Sequence, residues 1–296
     1  MSTLTAVGPR RIIGVARDYL SLFKLRIVLL LDATAIGVMI PAAQGHPRLV
    51  PVLAVLAGGT LAAGGAHSIN CWFDRDIDAQ MSRTRKRPLP GGRIPPWHAL
   101  AIGVALNVLA FAVLWAGANL LAAALALTGT LIYVFVYTIW LKRSTPQNIV
   151  IGGAAGAMPP LVGWAAATGR LDLTALALFG VIFFWTPPHF WALAQVIKND
   201  YARARIPMLP VVAGERSTKR QSMVYAVLAA IVSVVPFFPG SAGAVYLAGA
   251  VVLGLGLVGL TILDLEGRRW TRRLFAYSLA YVALLFLLFA VSPFLP

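Results

Sequence analysis

Acidic residues are scarce in this chain. It holds ten Asp and Glu among 296 residues, and charges of both signs make up 12% of it, about half of what a soluble domain carries. With a hydrophobic share of 59%, this excludes a water-soluble globule and points to an integral membrane protein. There is a single cysteine, Cys71, which rules out an internal disulfide and a thiolate metal cluster. Set in an apolar run, Cys71 reads as a small packing residue. A removable leader is also not expected: the first 22 residues are basic and polar, but the apolar run behind them is long and lacks a small-residue cleavage site. Nor does any basic helix interleave with aromatics, so the net charge of +15 does not imply a nucleic-acid partner.

Long apolar runs dominate the chain. Nine are each long enough to cross a bilayer as a helix, with rough extents 23–43, 49–72, 97–117, 119–140, 147–167, 172–197, 221–238, 241–263 and 273–293. We expect an all-α polytopic fold, nine transmembrane helices in a single bundle: a basic arm over 1–22 and one membrane domain over 23–296. Residues 117–119 make a tight hairpin, and Pro236 to Gly240 a turn. Every Lys and Arg except Arg48 and Arg170 falls before or at the start of span one, or in an even-to-odd connection up to the first residue of the next span. The positive-inside rule then puts the amino terminus in the cytoplasm and, with nine spans, the carboxyl terminus outside. A bacterial inner membrane is the expected location, with membrane lipid as the surrounding partner.

Against this poverty of acids, three crowd into five residues at the end of span two: His67-Ser-Ile-Asn70-Cys71-Trp-Phe-Asp74-Arg75-Asp76-Ile-Asp78. On a helix, Asn70, Asp74 and Asp78 share a stripe of roughly 80°, each about 6 Å beyond the last. His67 lies in the same stripe and Asp76 points away. Two carboxylates and an amide are hard oxygen ligands suited to Mg²⁺, and the Arg83-Thr-Arg85-Lys86-Arg87 cluster that follows suits a polyanion. Together they predict a magnesium-bridged diphosphate at a helix mouth, with metal ligands Asn70, Asp74 and Asp78.

Other polar residues within the spans are few. Asp32 in span one packs through a neighbouring polar group. Tyr133 and Tyr137 share a face of span four, which ends in Lys142 and Arg143. Span five is rich in small residues that permit close helix approach, and Pro159-Pro160 breaks it at mid-depth. Span six carries Trp185-Thr-Pro187-Pro188-His189-Phe-Trp191, and His189, eleven residues before Asp200, is expected on nearly the same helix face and about 16 Å deeper. A histidine in such a segment is a candidate functional residue.

These stretches carry a resemblance. Asn70, Asp74 and Asp78 followed by Arg87-Pro-Leu-Pro resemble the first aspartate motif of the UbiA-type intramembrane prenyltransferases. Leu141-Lys142-Arg143 through Trp164, Trp185 through Ala192, and Asp200-Tyr201 through Pro210 resemble its protohaem IX farnesyltransferase (haem O synthase) branch. The resemblance implies a cavity open to the cytoplasm, farnesyl diphosphate and haem b as substrates, haem O and pyrophosphate as products, and a downstream haem-modifying enzyme as a partner. It implies Mg²⁺ on Asn70, Asp74 and Asp78. Arg83, Arg87, Lys142, Arg143 and Lys198 would take the diphosphate, aromatic walls including Tyr133, Tyr137 and Trp185 would shield a farnesyl cation, and His189 would hold the haem. The chain departs from the superfamily at its second motif, where Val196 and Ala204 stand four residues from Asp200 in place of a second acid. Asp200 is then expected to orient Lys198 or Arg203. Two other readings stand beside this one: a relative acting on a quinone or chlorin, which would not need His189, and a secondary transporter, which would place its ionisable residues at the bilayer midplane.

Overall fold

The computed structural model describes residues 9–267 and 269–295, without the side chains of residues 9–12. The start of the basic arm, the side chains of Arg10 and Arg11, Arg268 and Pro296 therefore lie outside the described residues.

Helix α1 (Pro9–Leu22) precedes the bundle. It is tied down where Asp18 pairs with Arg93 at 2.9 Å and Tyr19 Oη meets His98 Nδ1 at 2.6 Å. Lys24 then turns the chain through the left-handed region, φ 52° and ψ 50°, into α2 (Leu25–Ala42). A non-glycine residue adopts this conformation only where its surroundings hold it there. Helix α3 (Leu49–Phe73) ends at Asp74, and α4 (Arg75–Gln80) continues almost coaxially, because Asp74 N still reaches Asn70 O and Asp78 N reaches Asp74 O. After the basic loop come α5 (Pro96–Gly117) and α6 (Leu120–Leu131), hinged at Asn119, whose Oδ1 accepts from Ala122 N. Helix α6 runs on as a π-helical stretch over Ile132–Leu141 and a last turn, α7 (Lys142–Ser144).

Span five is two helices, α8 (Asn148–Gly156) and α9 (Met158–Thr168), broken at Ala157 just before the proline pair. Span six is α10 (Leu173–Val196), which contains Pro187 and Pro188 and starts on an Asp172 cap. Two short helices, α11 (Lys198–Arg203) and α12 (Leu209–Val212), lead to α13 (Gly214–Ser233). Helices α14 (Ala244–Glu266) and α15 (Thr271–Val291) complete the bundle.

Among the described residues, nine segments are long and apolar enough to cross a membrane, as the hydropathy pattern predicts. Their outer faces carry bare Leu and Val, such as Leu29, Val50, Val108 and Leu255, as a surface meeting acyl chains should. Inside, α10, α13, α14 and α15 pack around Leu178, Val181, Tyr246, Tyr281 and Phe289. The buried phenols there are satisfied: Tyr246 donates to Ser233 O and Tyr281 to Ala229 O. Close backbone packing joins α3 to α5. A Cβ on Gly65 would lie 2.8 Å from Gly103 O, and one on Gly103 would lie 2.8 Å from Gly65 O, so the two backbones touch where both residues are glycine.

Candidate active site

A cavity of about 1310 Å³ runs from the junction of α3 and α4 into the bundle, lined by α2, α3, α8, α9, α10 and the π-helical stretch. Of the sequence-predicted residues it brings together Asn70, Asp74, Asp78, Arg83, Arg87, Tyr133, Tyr137, Lys142 and His189. Arg143, Lys198, Asp200 and Trp185 lie off its wall.

At the mouth each carboxylate is matched by a cation. Asp74, 1% exposed, accepts on Oδ2 from Lys142 Nζ at 2.5 Å and from Asn70 Nδ2 at 2.7 Å. Asp78 accepts from Arg87 at 2.7 Å. Asn70 Oδ1 is taken by the ammonium of Lys24 at 3.0 Å, and its Nδ2 also reaches Thr138. Lys24 was not singled out for the site from the sequence. Its reach to Asn70 depends on the left-handed turn before α2, which no local pattern announces. The π-helical stretch matters here. With Lys142 N bonded to Tyr137 O, one turn is widened, and both Thr138 and Lys142 come to face α3.

Arg143 binds elsewhere than expected. Both its terminal nitrogens reach Asp76 at 2.8 Å, its guanidinium lies 4.8 Å from the Phe73 ring centre, and Asp74 Oδ1 is 3.8 Å away. These hydrogen bonds hold the Asp76 carboxyl below the usual range. Asp200 accepts from Arg203 at 2.6 Å and from Ser82 at 2.5 Å. Of the two cations weighed as its partner, it meets Arg203. The chain breaks at Ile197, φ −109°, so His189 and Asp200 do not share one helix.

Whether Mg²⁺ fits can be read from Asp74. Its Oδ1 is buried with no hydrogen-bond partner, an uncompensated lone pair of the kind a hard cation takes. No group of three His, Cys, Asp or Glu stands ready for a metal among the described residues. Mg²⁺ does not need one, since it keeps waters and takes one or two carboxylates together with substrate phosphates. Asp74 and Asp78 supply that number. Asn70, with its oxygen on Lys24, acts in this arrangement as the residue that orients Asp74.

Deeper in, Tyr133 and Tyr137 stack at 5.6 Å, and Gly152 leaves the space that the Tyr137 ring fills. His189 is sandwiched between Trp185 at 4.4 Å and Phe275 at 4.8 Å. Its Nδ1 meets Ser278 Oγ at 2.8 Å, and that hydroxyl donates to Phe275 O. A hydroxyl has one proton to give, so Nδ1 is the donor to Ser278 and Nε2 keeps its lone pair. Trp185 does not line the cavity, yet its indole donates to Ser278 O at 2.6 Å and fixes the same cluster. Asp32, 6% exposed, lines the deeper wall and accepts from Thr60 at 2.7 Å, the neighbouring polar group its position called for.

Residues 31–275 match the model of the UbiA prenyltransferase family. The chain is 50% identical over 285 residues to protoheme IX farnesyltransferase of Gloeobacter violaceus, covering 95% of this chain and 93% of that one. It is 52% identical over 281 residues to the protein of the same name from Roseiflexus sp. strain RS-1, covering 94% of this chain and 53% of that one, so it spans about half the length of that relative. In fold it resembles digeranylgeranylglyceryl phosphate synthase, with a TM-score of 0.80 at 18% identity over 95% of this chain and 99% of the other. It also resembles a UbiA homologue from Archaeoglobus fulgidus bound to DMAPP and Mg²⁺, with a TM-score of 0.68 at 17% identity over 90% and 99%. The chain belongs to the UbiA prenyltransferase family.

Proposed function

We propose that the protein transfers the farnesyl group of farnesyl diphosphate to a vinyl group of haem b, giving haem O and pyrophosphate. The observation that carries this reading is a single cavity with two chemistries. Its mouth pairs carboxylates with cations, and its wall presents a histidine whose Nε2 lone pair is free. The names of relatives about half identical in sequence support the same substrates.

Breaking the allylic C–O bond puts charge on the departing diphosphate, and groups aimed at that charge lower the barrier. Lys24, Lys142, Arg83 and Arg87 line the mouth for this purpose. Mg²⁺, held by Asp74 and Asp78, would supply further neutralisation of the leaving group. Asn70 keeps Asp74 and Lys24 in place through its two hydrogen bonds. The rings of Tyr133 and Tyr137 offer their faces to the allylic cation, while apolar walls keep bulk water from quenching it. His189 would bind the haem iron through Nε2, a usual axial ligand, with Ser278, Trp185 and Phe275 fixing the ring. Arg143 and Asp200 serve this reading from outside the cavity, Arg143 through Asp76 and Asp200 through Ser82, whereas Lys198, off the cavity wall, is not given the diphosphate role. The membrane is the bacterial inner membrane, with the arm over 1–22 and the cavity mouth on the cytoplasmic side. The product passes to a downstream haem-modifying enzyme.

The test is incubation of the purified protein with haem b, farnesyl diphosphate and Mg²⁺, followed by mass analysis of the porphyrin. Growth of the hydroxyethylfarnesyl product supports the reading, and unmodified haem after full incubation refutes it. His189→Ala separates the acceptor from the donor. Haem binding and the Soret band should change while affinity for farnesyl diphosphate holds, and an unchanged spectrum with normal turnover would remove the haem ligand from the proposal.

A further inference from the structure

Farnesylation of a vinyl group ends with water adding to the carbon beside the macrocycle, and that step releases a proton which no residue above receives. We propose that His67 is the catalytic base that takes this proton, a role that rests on the farnesyl-transfer reading. His67 is 7% exposed and lines the cavity. Its Nδ1 lies 3.3 Å from Tyr133 Oη and its ring meets the Tyr133 ring edge-on at 5.3 Å. Its Nε2 is buried with no hydrogen-bond partner. An orphaned ring nitrogen is costly to keep in a folded protein.

Position decides the role. His67 stands three residues before Asn70 on the same helix, about 4.5 Å deeper by helical rise. The reacting carbon of an allylic diphosphate adjoins its leaving group, so the new bond forms within about a turn of the Asn70 level. The carboxylates of the cavity and its other imidazole are committed or remote. Asp74 and Asp78 hold Lys142 and Arg87. Asp32 sits beside Thr60, ten residues before Asn70 on α3 and so about 15 Å deeper. His189 is the iron ligand in this reading. The charged groups that face His67 are Lys24 and Arg87.

The step balances. The C–O bond of the donor breaks and its electron pair leaves with diphosphate. The vinyl π pair forms the new C–C bond, leaving a cation on the carbon beside the ring. Water, the co-reactant, gives that carbon an oxygen lone pair. As the new hydroxyl forms, one O–H bond breaks, and its proton moves to Nε2 of His67 while Nδ1 leans on Tyr133. The proton then leaves with pyrophosphate.

The full-length protein, its His67→Ala variant and its His67→Gln variant are compared with haem b, farnesyl diphosphate and Mg²⁺. Rates are followed together with product mass. Loss of a general base lowers kcat by about a hundredfold or more, with KM for either substrate within about twofold of wild type. A farnesylated porphyrin lacking the elements of water should appear in both variants, and added imidazole should restore the hydroxylated product to His67→Ala alone. If His67→Ala does not accumulate as folded protein, the near-isosteric His67→Gln gives the same reading. Unchanged kcat with hydroxylated product in the folded variants, or a raised KM at unchanged kcat, would overturn the proposal and leave His67 a packing partner of Tyr133. A wild-type protein that makes no farnesylated haem would instead refute the underlying function.

Discussion

Asp74 and Asp76 lie two positions apart at the end of α3 and meet different surroundings. Asp74 is buried among Asn70, Lys142 and an unsatisfied oxygen, while the Asp76 side chain is 55% exposed and clamps Arg143. Asp74→Asn and Asp78→Asn should therefore each cost about 10²–10³ in kcat, as loss of a well-aimed charged group does, with haem binding intact. Asp76→Asn should cost less than about tenfold, and equal damage at position 76 would contradict the burial difference. Tyr201 gives a second expectation. It is 3% exposed, and burial pushes its phenol up to about 12 from 10.0. The folded state then holds its proton where the unfolded chain has lost it, so this contribution is intact below pH 10 and lost as pH rises towards 12. Thermal midpoints of Tyr201→Phe should fall less steeply across that window than those of wild type. The acidic stripe was legible because helical spacing alone puts Asn70, Asp74 and Asp78 on one face. The partners of the cations were not. Lys24 reaches Asn70 and Arg143 reaches Asp76 across 46 and 67 residues of sequence, and no local pattern encodes those pairings.

Helices were legible wherever hydropathy alone defines them, and among the described residues nine spans stand. The seventh alone departs widely from its expected limits, starting at Gly214 in a polar turn before the apolar run expected from 221. Interruptions inside them were legible only where proline marks them. The break between α8 and α9 falls at Ala157, beside Pro159, as its residues predict. The π-helical stretch at Ile132–Leu141 and the break at Ile197 carry no such mark. The α3–α5 contact tests this level. Gly103→Ala places a methyl group 2.8 Å from Gly65 O, and such overpacking costs about 1–3 kcal/mol. Melting of the detergent-solubilised protein should show that loss, and activity should fall with it, since α3 carries Asn70 and the acids. A variant as stable and active as wild type would mean that the helices part without consequence.

The distribution of basic residues sets the orientation of the whole bundle. A reporter fused near Gly214 should be active in the cytoplasm, and one fused after Pro296 on the opposite side. A cytoplasmic carboxyl terminus would require a different number of crossings. The hydrogen bond from Ser82 to Asp200, which spans 118 residues, has a consequence for biogenesis. Ser82 leaves the ribosome after two spans, and its partner only after six. The acidic stripe thus enters the membrane early and waits through four further insertions for the segment that fastens its loop. Nascent chains halted before Asp200 should leave the Arg83–Arg93 loop open to trypsin, and chains extended beyond Pro210 should protect it. The proposed diphosphate site would then be completed in the order of synthesis, and a chain stalled halfway would carry its acids without their closure.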